Sequence, residues 1–148
     1  EREGLWSVRE NMENVVASLR PFRSYDVSMG LASMPAFVDE ARANIRASYP
    51  KAEMAFYGHA GDGNLHALVC VGEMNKDIEH ALDVAIFDAV KNVGGSISAE
   101  HGIGVTRAPY IAWTRSPEEL RLMRLMQQSL DPKNILNPGK LLDAPGAS

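Results

Sequence analysis

Cysteine is almost absent from this chain of 148 residues: Cys70 is the only one, so no disulfide can form within it. It falls in a strand-like run and reads as a small buried hydrophobe. Long apolar runs are missing too; none approaches the roughly 18 residues that a bilayer-spanning helix needs, and no segment has the layout of a secretory signal. The expected location is therefore the cytoplasm, at most peripheral to a membrane. Lys and Arg form no cluster and the formal net charge is −4, which argues against nucleic acid as the main partner. There is no internal repeat and no low-complexity segment. The chain opens at Glu1, without an initiator methionine, and runs straight into a helical pattern, as a piece of something longer would. What remains is a 45% apolar composition, enough for one globular domain with a core.

Apolar periodicity orders the elements. Leu5, Val8, Met12, Val15, Val16 and Leu19 have helical spacing, and Phe22 to Met29 alternates as a strand. Ser33 caps and Pro35 opens a helix through Phe37, Val38, Ala41 and Ile45. Two strand-like runs follow, Ala52 to Tyr57 and Leu65 to Val71. A second helix starts at Asn75 or Lys76 and stops at Gly94-Gly95, before a short strand over Ser96 to Ser98. The order βαββαβ predicts an α+β, ferredoxin-like antiparallel sheet with both helices on one face, occupying residues 20–98. An N-terminal helix and a C-terminal extension over 99–142 are added to it. In that extension Ser116 and Glu119 form a capping-box pattern for a helix through Leu120, Met123, Met126 and Leu130, whose methionines read as core packing.

The densest chemistry lies in Gly58-His59-Ala60-Gly61-Asp62-Gly63-Asn64-Leu65-His66. Asp62-Gly63 suits a two-residue type I′ turn, which would set His59 directly opposite His66. Opposed side chains on one face have Cβ atoms roughly 4.5–5.5 Å apart, so two imidazoles there can share a divalent ion. The same residues also read as a loop with partly solvated histidines, and the choice turns on a third ligand. Glu100, in Ser98-Ala99-Glu100-His101-Gly102-Ile103-Gly104, offers hard oxygen chemistry, and His59, His66 and Glu100 would make a His₂-carboxylate set with open positions. His101, adjacent on a strand and so on the opposite face, is better placed as a base than as a ligand.

These two motifs, together with Leu130-Asp131-Pro132-Lys133-Asn134-Ile135-Leu136-Asn137-Pro138-Gly139-Lys140, resemble the C-terminal domain of the FAD-linked oxidase family. This is the vanillyl-alcohol-oxidase-like group that holds D-lactate, D-2-hydroxyglutarate and glycolate dehydrogenases. The resemblance covers nearly the whole chain and implies a substrate- and metal-binding domain over 1–148, with FAD carried by a domain absent from this sequence. It implies that His59, His66 and Glu100 bind a divalent metal, zinc or manganese. His101 becomes the base that takes the hydroxyl proton of a small 2-hydroxy acid while the α-hydrogen leaves as hydride to the flavin. Arg9 is similar to the family position that grips the substrate carboxylate. Asn137 and Lys140 either approach the flavin or lock the terminus. A quinone or an electron-transfer flavoprotein is the expected electron acceptor, and a homodimer is compatible with the resemblance.

Three positions depart from the family pattern. Ser24 stands where a Lys or Arg is common; Arg23 is one residue away, but one residue on a strand is a change of face. Gly30 stands where proline is common, and Leu68 where hydroxyglutarate-type members often carry asparagine, which puts recognition of a distal carboxylate in doubt. Gly102-Ile103-Gly104 is no dinucleotide fingerprint, so the chain alone is expected to be inactive and to bind FAD weakly or not at all. The rival class is a non-catalytic ferredoxin-like interaction module whose histidines merely finish a hairpin. A metal-dependent hydrolase, with His101 activating water, is a third.

Overall fold

Alternation along the first strand decides which way the sheet faces. In a computed structural model, which describes residues 4, 6–7, 11–140 and 142, β1 (Arg23–Ser28) turns Tyr25 and Val27 into the apolar core and Ser24 and Asp26 to the other side. β1 pairs antiparallel with β3 (Asn64–Cys70), which pairs antiparallel with β2 (Glu53–Tyr57), giving the order β1-β3-β2. Before β1, α1 (Met12–Ser18) is the described part of the expected first helix.

Two helices cover one face of the sheet. α2 (Met34–Ser48) buries Met34, Phe37, Ala41 and Ile45, and α3 (Lys76–Asn92) buries Ile78, Leu82, Ile86 and Val90, each set at three- and four-residue spacing. They pack on one another and, with Tyr25, Val27, Ala67 and Val69 of the sheet, form a single core. Truncating a fully buried member such as Leu82 to alanine would cost about 2–5 kcal/mol. The ends follow the sequence signals. The Asn75 side chain accepts from the Ile78 N–H, and Gly94 closes α3 in the left-handed region at φ 68°. Ser33 stands at the N-cap of α2, but its side chain makes no capping hydrogen bond there.

Three expectations need correction. The fourth strand is reduced to one bridge, in which Ser28 and Ser96 exchange N–H···O bonds of 3.0 and 2.7 Å. It lies beside β1. Farther along, the amides of residues 99–101 bond to the Asp26 side chain instead of to a strand. The segment expected to be strand-like at Glu100 is therefore a bent loop. After it come a four-residue helix, α4 (Gly104–Arg107), a 3₁₀ segment (Ala108–Trp113) and α5 (Pro117–Leu130). The Ser116–Glu119 capping box forms, but the stripe on α5 is core only in its first half: Leu120 is buried and Met123 packs against the core, whereas Met126 and Leu130 are 57% and 80% exposed. Cys70 is half-buried.

Candidate active site

The face of the sheet opposite the two helices carries the polar cluster. On it Asp26 stands opposite His66, and Tyr57 stands opposite His66 from the other side. The expected register, with His59 across from His66, is off by two residues. β2 ends at Tyr57, residues 58–63 form a loop, and Ala60–Asp62 is a 3₁₀ turn with Gly63 left-handed at φ 71°. The tight approach of the backbone explains this. A Cβ on Gly58 would meet the Asn64 carbonyl oxygen at 2.4 Å, and one on Gly63 would meet the Met29 carbonyl oxygen at 2.5 Å. The loop folds over its own second arm and over the end of β1, where a two-residue turn would have kept the strands paired.

The loop nevertheless returns His59 to the cluster. His59 and His66 have ring centroids 6.2 Å apart, and Glu100 Oε1 lies 3.5 Å from His66 Nε2 and 4.0 Å from His59 Nδ1. Among the described residues, His59, His66 and Glu100 offer three ligand atoms within 4.8 Å of one another. Zinc bonds are about 2.0–2.2 Å long, so small rotations of the half-exposed His59 and Glu100 side chains would close the set on an ion. A second trio, Asp26, Glu100 and His101, meets the same spacing. This corrects the expectation that His101 faces away from Glu100: residues 99–101 are not a strand, so strand alternation does not apply. The His101 ring is stacked on His66 at 5.7 Å and 19°.

Two residues that the motifs did not single out hold this arrangement. Asp26 is 1% exposed, and its Oδ2 accepts the backbone N–H groups of Ala99, Glu100 and His101 at 3.1, 2.9 and 2.9 Å. Burial by itself raises the Asp26 pKa; the three N–H donors and the nearby His101 outweigh it and hold the carboxyl below its ordinary value. Asn64, also buried, donates to Glu100 Oε1 at 2.8 Å. The Oδ1 atoms of both Asp26 and Asn64 are buried without a hydrogen-bond partner. Such under-satisfied acceptors beside a His₂-carboxylate cluster fit a site built to receive a cation and the proton-bearing ligands around it. Strand alternation did mark Asp26 as facing away from Tyr25 and Val27, but its partners lie 73 to 75 residues away.

A cleft of about 370 Å³ opens beside the cluster, and its lining includes Val16, Ser24, Tyr57, His66, His101 and Arg107. Arg107 donates to the Gly102 carbonyl at 3.0 Å, which fixes its guanidinium next to the His101 loop. Arg23 does not replace the missing cation at Ser24. It lies on the helix side of the sheet, bonded to Asp83 and Glu79. Arg9 lies outside the described residues. Asn137 and Lys140 are not brought to the histidines; they line a separate open cleft of about 600 Å³ with Met126, Leu130 and Leu136.

Sequence comparison gives this geometry a family. Residues 1–141 match the model of FAD linked oxidases, C-terminal domain. The chain is 35% identical over 147 residues to a D-2-hydroxyglutarate dehydrogenase of Stutzerimonas stutzeri, covering 96% of this chain and 32% of that protein. It is 40% identical over 144 residues to one of Xanthomonas citri, covering 94% and 30%. A D-2-hydroxyglutarate–pyruvate transhydrogenase of Saccharomyces cerevisiae is 36% identical over 146 residues, with 93% and 29% covered. The chain thus spans about a third of the length of the curated relatives it matches. With the His59–His66 and Glu100–His101 motifs brought together and a family match over nearly every residue, this chain belongs to the C-terminal domains of the FAD-linked oxidases.

Proposed function

We propose that this chain is the substrate- and metal-binding part of an FAD-dependent 2-hydroxy-acid dehydrogenase, acting on D-2-hydroxyglutarate, D-lactate or glycolate. The observation that carries the reading is the convergence of His59, His66, Glu100 and His101 at one end of the sheet face opposite the two helices. His59, His66 and Glu100 would hold a divalent cation, zinc or manganese. When bound, that ion supplies a Lewis acid for the substrate carboxylate and hydroxyl, and FAD supplies the hydride acceptor.

The chain's own residues bind the acid, orient it and remove a proton. His101 Nδ1 lies 3.8 Å from Asp26 Oδ2, and the negative charge there disfavours a lone pair on Nδ1 and so favours the tautomer with the proton on Nδ1. The lone pair of Nε2 is then the acceptor for the substrate hydroxyl proton, as a general base. Stacking on His66 keeps that ring beside the cation ligands, so base and carboxylate-binding groups are positioned together. Arg107 puts a permanent positive charge in the wall of the cleft that Ser24 also lines, and would hold a distal carboxylate. Oxidation by a quinone or an electron-transfer flavoprotein, and pairing as a homodimer, belong to the same proposal.

The test is metal content and dye reduction by the full-length flavoprotein with each of the three acids. Replacing His59 and His66 together by alanine should remove both metal and turnover. Turnover that survives without metal would sink the reading. Arg107→Leu should raise KM for D-2-hydroxyglutarate more than for D-lactate, with kcat less affected. The 148 residues alone are expected to turn over none of the three acids.

A further inference from the structure

The mechanism leaves the buried Oδ1 of Asp26 without a task. Its sister oxygen is saturated by three backbone N–H donors, whereas Oδ1 has no hydrogen-bond partner and lies 3.5 Å from His66 Nδ1. The other nitrogen of the same ring, Nε2, faces Glu100 Oε1 at 3.5 Å. One imidazole is therefore strung between a buried carboxylate and the carboxylate offered to a cation. A neutral imidazole has one N–H and one lone pair, and the partner of the first decides where the second points.

We propose that Asp26 is the positioning residue of the site: its Oδ1 accepts from the Nδ1–H of His66, which keeps the proton on Nδ1 and turns the Nε2 lone pair toward Glu100 and the cation. The inference rests on reading His59, His66 and Glu100 as a cation site. Through Oδ2 the same side chain holds the backbone of Glu100 and His101, so one carboxylate fixes a ligand on β3 and the loop that carries another ligand and the base. Outer partners of this kind set ring orientation and tautomer in metal sites. Asn64 acts alongside it, holding Glu100 Oε1 from the start of β3.

The decisive variant is Asp26→Asn. It keeps an oxygen for the three N–H donors, which favour it over an NH₂ group, and so presents the amide NH₂ to His66 Nδ1. The His66 proton should then move to Nε2, where it blocks ligation. Two measurements on the full-length flavoprotein separate the outcomes: Zn²⁺ affinity by competition with a chromophoric chelator, and ¹⁵N-histidine spectra of the metal-free protein, with His66 assigned by loss of its signal in His66→Gln. The expected results are a roughly 10–100-fold weaker Zn²⁺ affinity, a shift of His66 from the Nδ1–H to the Nε2–H pattern, and an unchanged far-UV circular dichroism spectrum. Wild-type affinity in Asp26→Asn, or an Nε2–H pattern already present in the wild type, would overturn the proposal. Should the wild type bind no Zn²⁺, the cation reading fails on its own, and the His66 tautomer still decides whether Asp26 sets it. The wild-type spectrum also decides the matter if Asp26→Asn does not fold.

Discussion

Asp83 and Asp26 are both buried, on opposite sides of the same sheet, and their surroundings differ. Asp83, on α3, faces the helix-covered side, where its Oδ1 accepts from Arg23 Nε at 3.1 Å and the Tyr25 hydroxyl at 2.9 Å, and its Oδ2 from Arg23 Nη2 at 2.9 Å. Both of its oxygens are satisfied. Burial, and then the Asp83 charge, push the Tyr25 hydroxyl far above its ordinary pKa, so it remains a donor at any working pH. Arg23 is held above its ordinary pKa by Asp83 although burial works against it. Asp26 instead has one oxygen saturated and one left over, against a histidine. A carboxylate that only holds a fold together is matched on both oxygens. On the proposed reading, Asp26 keeps an oxygen for something that can change, the ring of His66 and the proton it carries.

That contrast can be broken from either side. The largest effect is expected at the site face: His101→Gln in the full-length flavoprotein should lower kcat/KM by about 10²–10⁴-fold, as loss of a general base does. Its melting temperature should stay near that of the wild type, because the ring is more than half exposed. A variant that melts early and turns over normally would assign His101 to structure. On the helix face the pattern should invert. Asp83→Ala leaves a partly buried Arg23 with Glu79 alone and should cost about 3 kcal/mol in urea unfolding, while metal affinity stays unchanged. A metal defect in that variant would mean that the two faces are not independent. Tyr25→Phe removes one of three donors to Asp83 and should cost about 1 kcal/mol, since Arg23 still serves both oxygens.

The smallest effect is one of pH. Asp26 has its folded pKa below the ordinary carboxylate value of 3.8. Its charge therefore contributes stability fully above that value, and the contribution is lost as pH falls through the lower, folded value. The stability gap between wild type and Asp26→Asn should accordingly shrink as the buffer is taken below that ordinary value. A gap that grows on acidification would reverse the assignment of charge to this group.

Periodicity was enough for the layers. Phe37, Ala41 and Ile45 on one helix and Ile78, Leu82 and Ile86 on the next announce their shared core, and Tyr25 and Val27 announce which strand face meets it. The ends of elements were legible where a side chain writes its own cap, at Asn75 and at Ser116 with Glu119. The loop over 58–63 was not, because its shape depends on close backbone approaches to Asn64 and Met29 that no local pattern encodes. Asp62-Gly63 carries a turn signal, and a turn is there, but of a different kind and two residues out of register. The four residues that cluster were readable from their chemistry. The side chains that hold them were not: Asp26 and Asn64 act across long separations in sequence, where nothing in their own neighbourhoods points to residues 99–101. The α5 stripe misled for a related reason, since amphipathic spacing says that a face is apolar but not what covers it.

The grip of Asp26 on three consecutive amides also bears on how the chain folds. These bonds close a loop of more than seventy residues, a costly contact to form early, so the 99–101 segment should dock only after the sheet and both helices are in place. The amide protons of Ala99, Glu100 and His101 then serve as built-in reporters. In hydrogen exchange, their protection should mark the moment at which the folded domain becomes a finished site.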